Sequence, residues 1–206
     1  MAHGVRVPED ALAVFRDFVG GKAQVVQRDL GTITGEHGLR YFCCCANVGM
    51  DADAARRTNA LPNWLKERGG YFLGGLGAMC GYKAEKLKVS GDRVHGGELS
   101  ERGWFVSVSN TPTFGGGLKI APQAKLDDGF LDVTYCREVP RRELLWHYPK
   151  ILRGKHIGLE QLHVFRSSAV SIETESPQPI FADGEYIGET PCEIAVAPRV
   201  LKVATR

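Results

Sequence analysis

The sequence predicts a mainly β fold with some α: an antiparallel β-sandwich or barrel capped by a few helices. Three observations predict it. Apolar residues recur in short runs of period two, as where Leu131, Val133 and Tyr135 alternate with Phe130, Asp132 and Thr134, and where Val170, Ile172 and Thr174 alternate with Ser171 and Glu173. Such alternation marks strands with one face turned to a core. Gly, Pro and Asp divide the runs at short intervals, which favours sandwiches and barrels. Helical periodicity is confined to a few segments.

The first element is a helix over 8–19. Pro8 suits the first helical position, Glu9 and Asp10 suit its positive end, and Leu12, Phe15 and Val19 recur at helical spacing before Gly20 and Gly21 stop it. Strands are expected at 24–30 and 39–48. The second holds Cys43, Cys44 and Cys45, read as small apolar residues of a buried strand. Neighbours on a strand face opposite ways, so these three cannot readily bridge one another. Residues 53–82 carry Leu61, Trp64, Leu65, Tyr71, Phe72, Leu73, Leu76 and Met79 without strand alternation. They read as one or two helices loosened by Gly69, Gly70, Gly74, Gly75 and Gly77. Strands follow at 86–95, 103–109 and 130–136. A helix over 140–153 opens at Pro140, carries Leu144, Leu145 and Tyr148 on its apolar side and ends at Gly154, with Pro149 expected to kink or shorten it. Strands at 161–166, 168–174, 178–182, 192–197 and 199–205 complete the chain.

The 206 residues fit one large domain or two small ones, and 43% hydrophobic with 24% charged residues is ordinary for a globular domain. Such a chain buries about 70% of the surface its unfolded form exposes. The 26 basic and 24 acidic residues leave a net charge of +2, without the clustered basic excess that nucleic acid requires. No apolar run reaches signal-peptide or membrane-spanning length. The chain is therefore read as cytoplasmic, with any lipid work done peripherally, from the membrane surface. Neither phosphate-binding glycine pattern, G-x-x-x-x-G-K-[ST] or G-x-G-x-x-G, occurs, nor does G-x-S-x-G, H-E-x-x-H or C-x-x-C.

Three constellations remain. Asp183-Gly184 between two apolar runs is a strong hairpin signal. On an extended chain Asp183 and Glu185 would also share one side, where two carboxylates could serve proton abstraction and a metal-bound water. Asn110 to Pro122 contains the Gly115-Gly116-Gly117 run, which allows close backbone approach to a ligand or simply a sharp loop. Asp127-Asp128-Gly129 could hold a hard cation through oxygen ligands or form an ordinary turn.

In order and spacing, the set resembles the diacylglycerol kinase catalytic-domain family, which includes bacterial lipid kinases, sphingosine kinases and ceramide kinases. The resemblance runs from about residue 8 to the C-terminus. It rests on Tyr41-Phe42, Asn47-Val48-Gly49-Met50-Asp51-Ala52, Asn110 with Gly115–Gly117, Ile120-Ala121-Pro122, Ala124 to Asp132, Gly154-Lys155-His156, Asp183-Gly184-Glu185, Val196-Ala197-Pro198 and Leu201-Lys202-Val203.

The resemblance implies the C-terminal, lipid-binding β-sandwich domain of a two-domain, ATP-dependent lipid kinase. The family's N-terminal nucleotide-binding domain carries a Gly-Gly-Asp-Gly-Thr motif that these 206 residues lack. The chain reads as the substrate-side part of such an enzyme, whether an isolated domain, a truncated product or one half of a split enzyme. Glu185 then corresponds to the general base and Asp183 to its partner in a Mg²⁺ and water network. Asp128 and the carbonyl of Phe130 match a metal site of some members. Lys125 stands where those members offer an oxygen ligand, and Asp127 is a candidate to replace it. Asp51 resembles the head-group position of the sphingosine-directed branch, and Leu61, Trp64, Leu65, Phe72, Leu73 and Leu76 would wall the acyl-chain pocket or pack as core. The partners implied are a lipid, a membrane surface, ATP held by the other domain and no nucleic acid; a homodimer stays open. The alternative is a non-catalytic lipid-binding module.

Overall fold

The computed structural model describes residues 8–36, 38–65, 70–94, 97–114, 117–152, 154–156 and 158–205. Chain order is α1 (Pro8–Val19), β1 (Gln24–Gly35), β2 (Gly38–Phe42), β3 (Cys45–Gly49), α2 (Met50–Asn59), α3 (Asn63–Leu65), α4 (Tyr71–Gly81), β4 (Glu85–Gly91), β5 (Glu98–Ser109), β6 (Leu131–Arg137), α5 (Arg141–Leu152), β7 (Leu162–Ser167), β8 (Ala169–Thr174), β9 (Pro179–Ala182), β10 (Glu185–Glu189) and β11 (Cys192–Thr205). The strands form one antiparallel sheet in the order β10-β9-β3-β5-β4-β8-β11-β1-β2, with β6 joined to β5 and β7. It branches at β5, whose first half pairs with β4 and whose second half lies between β3 and β6. The branched sheet curls into a nearly closed, barrel-like sandwich.

The period-two pattern puts Val48, Val106, Val108, Val133 and Tyr135 on the inner face, against Leu87, Val89, Ile172, Ile180 and Ile194. Fully burying such a side chain stabilises by roughly 1.5–3 kcal/mol. The other face of β3, β5 and β6 is also covered. There Cys45, Phe105 and Cys136 pack under Met50 and Ala54 of α2, Ala78 and Met79 of α4, Leu144 of α5 and the loop residues Phe114, Ile120 and Ala121.

Several expectations are corrected. The strand at 39–48 is two strands, because the chain bends at Cys43 and Cys44; Cys43 is exposed and only Cys45 is buried. The strands at 192–197 and 199–205 are one strand, β11, with an irregularity opposite Asp29 that absorbs Pro198, which has no N–H to pair. Leu12, Phe15, Phe18 and Val19 of α1 are each more than half exposed, so the helical spacing there marks no buried face. Leu145 is also exposed, and α5 continues through Pro149 to Leu152.

Two glycines are fixed by close approach. Gly49 links β3 to α2 with φ 89°, and a Cβ there would lie 2.7 Å from the carbonyl oxygen of Trp104. Rather than loosening α4, Gly74 lets it press on α2: its Cβ would lie 2.2 Å from Thr58 Oγ1 and 2.7 Å from the Ala54 carbonyl oxygen. Gly74→Ala therefore sets a helix-propensity gain of about 1 kcal/mol against overpacking that typically costs about 1–3 kcal/mol. The clash with backbone wins, so urea unfolding should show the variant destabilised; equal or higher stability would show that the helices part freely.

Candidate functional site

The β9–β10 hairpin turns on Asp183 and Gly184, with φ 50° and 89°. Two consecutive left-handed residues are what a two-residue hairpin matched to strand twist requires. Because 183 and 184 are not extended, the period-two argument does not apply across them, and Asp183 and Glu185 do not share a strand face. Asp183 is exposed, but its carboxylate turns back onto the backbone before β3. Its Oδ2 accepts the Cys43 N–H at 2.6 Å, and its Oδ1 accepts those of Cys44 and Cys45 at 2.8 and 3.1 Å. Its own N–H donates to the Cys45 carbonyl at 3.0 Å. One carboxylate thus satisfies three successive amides at the bend before β3. Glu185 is exposed, and its side chain has no hydrogen-bond partner among the described residues. The tip is exposed at Asp183, Glu185 and Tyr186 but tethered at Gly184. Asn59, the last residue of α2, donates its Nδ2–H to the Gly184 carbonyl at 2.7 Å, and Tyr186 packs edge-on against Phe181 at 5.9 Å.

Asp51 lies in the first turn of α2. The residue keeps some exposed surface, but its Oδ2 is sealed from solvent without a partner. Burial pushes its carboxyl up to about 7, outweighing the helix N-terminus, which favours the anion by only about 0.3–1 kcal/mol. Its charge is felt by Tyr148 of α5, whose hydroxyl is raised first by burial and then by Asp51. Tyr148 stacks on Phe72 of α4 at 5.7 Å.

Sequence reasoning missed the polar floor beneath these helices. Asn47, Ser107 and Thr134 stand side by side on β3, β5 and β6, with Ser109 next to them, all almost wholly buried. Ser107 Oγ donates to Asn47 Oδ1 at 2.7 Å, and Thr134 Oγ1 has no partner. The alternation of Ser107 and Ser109 with Val106 and Val108 reads as a solvent-facing edge, so a covered polar face gives no separate sequence signal.

Of the pocket candidates, Trp64 is 63% exposed, and Phe72 and Leu73 are also exposed, while Leu61, Leu65 and Leu76 are partly buried. Residues 66–69 of that segment lie outside the described residues, as do Gly115 and Gly116 of the glycine run. Leu145 and Trp146 add exposed apolar surface from α5, Trp146 at 77%. No described helix is long and apolar enough to cross a membrane. His156 of the Gly-Lys-His segment is fully buried, its ring Nε2 2.8 Å from the Ile120 carbonyl, and burial lowers its pKa. Asn110 donates through Nδ2 to the carbonyls of Asp29 and Cys43. These two motif residues tie loops to the sheet.

Both carboxylates expected to hold a metal are paired with arginine. Asp127 pairs with Arg28 and Asp128 with Arg166, while Asp128 Oδ1 accepts the Phe130 N–H at 3.2 Å. Among the described residues, no three His, Cys, Asp or Glu side chains gather as a metal site. With Asp183 bound to backbone amides as well, the donors present do not fit a divalent ion held by this chain alone.

Asp51 sets a pH dependence. An acid whose carboxyl is raised on folding loses stability as pH rises: the penalty is absent below about pH 4, grows towards pH 7 and is full above it. Asp51→Asn should therefore gain stability over wild type between pH 5 and pH 8, by on the order of a few kcal/mol. Denaturant unfolding of both proteins checks this; parallel pH profiles would show that Asp51 is not buried as described.

The comparisons with known proteins agree with this fold. The family model described as the YegS C-terminal NAD kinase beta sandwich-like domain matches residues 44–205. A diacylglycerol kinase of Mycobacterium tuberculosis is 29% identical over 176 residues, covering 85% of this chain and 56% of its own length. A Xanthomonas oryzae pv. oryzae protein, named a probable YegS-like lipid kinase, is 31% identical over 202 residues, covering 95% and 61%. A solved chain from Bacillus anthracis str. Sterne shares the fold with TM-score 0.66 at 20% identity, over 87% of this chain and 56% of its own. The chain spans little more than half the length of these relatives. It belongs to the family of the YegS C-terminal NAD kinase beta sandwich-like domain.

Proposed function

We propose that this chain is the acceptor-side domain of an ATP-dependent lipid kinase of the diacylglycerol type, with Glu185 as its general base. The observation that carries the reading is the hairpin tip. An exposed carboxylate stands on a turn clamped at Asp183 and held at Gly184 against α2. Proton abstraction needs an accessible carboxylate in a fixed place.

A lipid hydroxyl presented at the tip would give its proton to Glu185 as its oxygen attacks the terminal phosphorus of ATP, and the bond from that phosphorus to the ADP oxygen breaks. Asp183 holds the turn. Asp51, in the first turn of α2 with an unpartnered Oδ2, would accept or donate a hydrogen bond to the lipid's head group. Trp64, Phe72, Leu73, Leu145 and Trp146 expose a greasy surface on α3, α4 and α5 that suits peripheral contact with a membrane. ATP and its Mg²⁺ would be carried by a nucleotide-binding domain such as the resemblance implies.

In protein that includes such a domain, Glu185→Gln should lower kcat by about 10²–10⁴-fold with little change in the KM for lipid. Steady-state kinetics on mixed micelles, with circular dichroism to confirm folding, checks this. Near wild-type turnover would remove Glu185 from the role and favour a domain that only binds lipid.

A further inference from the structure

The turn at 127–130 is where the family resemblance places a divalent cation, and in this chain a side chain reaches the same place. Arg166 stands on β7 directly opposite Asp132 of β6. Its guanidinium pairs with Asp128, brings Nε within 3.9 Å of Asp132 Oδ2 and lies 5.1 Å from the centre of the Phe130 ring. Arg93 lies 4.0 Å from the same ring centre. Asp132 is almost wholly buried with neither oxygen hydrogen-bonded among the described residues, and Arg166 is the cation that faces it.

The backbone of the turn is held from within as well. Asp29, buried in the irregularity of β1, accepts the Gly129 N–H at 2.8 Å on Oδ2 and the Arg199 N–H at 2.8 Å on Oδ1. The Asp29 N–H donates to the Leu126 carbonyl at 2.7 Å. Arg28 neutralises Asp127. A divalent cation would need six or more oxygen ligands, and here it would first have to displace a guanidinium. A planar guanidinium, permanently charged, suits two carboxylates and an aromatic face together.

We propose that Arg166 is a built-in cation that takes the place of a divalent metal at the 127–130 turn, so that this chain closes the turn without metal. The inference goes beyond the kinase reading and stands or falls separately from it, because its readouts are binding and stability.

Thermal unfolding of the chain in EDTA, then in millimolar Mg²⁺ or Ca²⁺, tests it, together with electron paramagnetic resonance of added Mn²⁺. Wild type should give the same midpoint in all three conditions and leave the free Mn²⁺ signal intact. Arg166→Gln should unfold several degrees lower in EDTA and recover part of the loss with Ca²⁺ or Mg²⁺; Asp128→Asn in that background should abolish the recovery. Arg166→Lys, which keeps the charge, should stay indifferent to metal, and it supplies the answer if the glutamine variant does not fold. A saturable rise of the wild-type midpoint with metal, or uptake of Mn²⁺ that Asp128→Asn removes, would overturn the proposal. So would an Arg166→Gln protein as stable as wild type and equally indifferent to metal.

Discussion

The arrangement turns on one carboxylate. Asp183 accepts three successive backbone N–H groups at the bend before β3 and so joins two places 140 residues apart in the chain. The amides of Cys43 and Cys44 lie before β3, and that of Cys45 belongs to its first residue. Hydrogen bonds to a charged acceptor contribute about 1.5–3 kcal/mol each, so the clamp is worth more than an ordinary turn. It extends the β3–β9 pairing by one further step, sets where the hairpin ends, and leaves Glu185 as the next residue to emerge.

Around that fixed point the molecule separates stiffness from reactivity. The sandwich interior is mainly aliphatic, joined by Phe42 and Tyr135. The opposite face of β3, β5 and β6 is polar at its centre, where Asn47, Ser107 and Thr134 meet, and apolar at its margin, where Cys45, Phe105 and Cys136 meet the helices. Asp51 sits at that margin with one oxygen sealed and unpaired. A buried, unsatisfied acid lowers stability, and at functional sites such a cost is commonly retained for the chemistry it permits.

Much of the fold was legible because its strands obey period two. The alternation at 130–136 and 168–174 located β6 and β8 to within a residue or two, and Asp183-Gly184 located the hairpin. What escaped had a physical reason each time. Ser107 and Ser109 alternate as an exposed edge would, and only the packing of α2, α4 and α5 reveals that both faces are covered. The glycines of 69–77 read as loosening a helix, whereas Gly74 exists for close contact with Thr58. Cys43 and Cys44 looked like strand interior because the carboxylate that bends them away lies far along the chain. The same distance hid the role of Asp183, and the pairing of Asp128 with Arg166 joins residues 38 apart.

The account is tested most directly by amide hydrogen exchange at Cys43, Cys44 and Cys45, followed by NMR in wild type and in Asp183→Ala. The account predicts slow exchange in wild type and loss of that protection in the variant, by at least about tenfold given what a charged hydrogen bond is worth, while the β5–β6 amides keep theirs. Rapid exchange of the three cysteine amides in wild type, or protection that survives removal of the carboxylate, would contradict it.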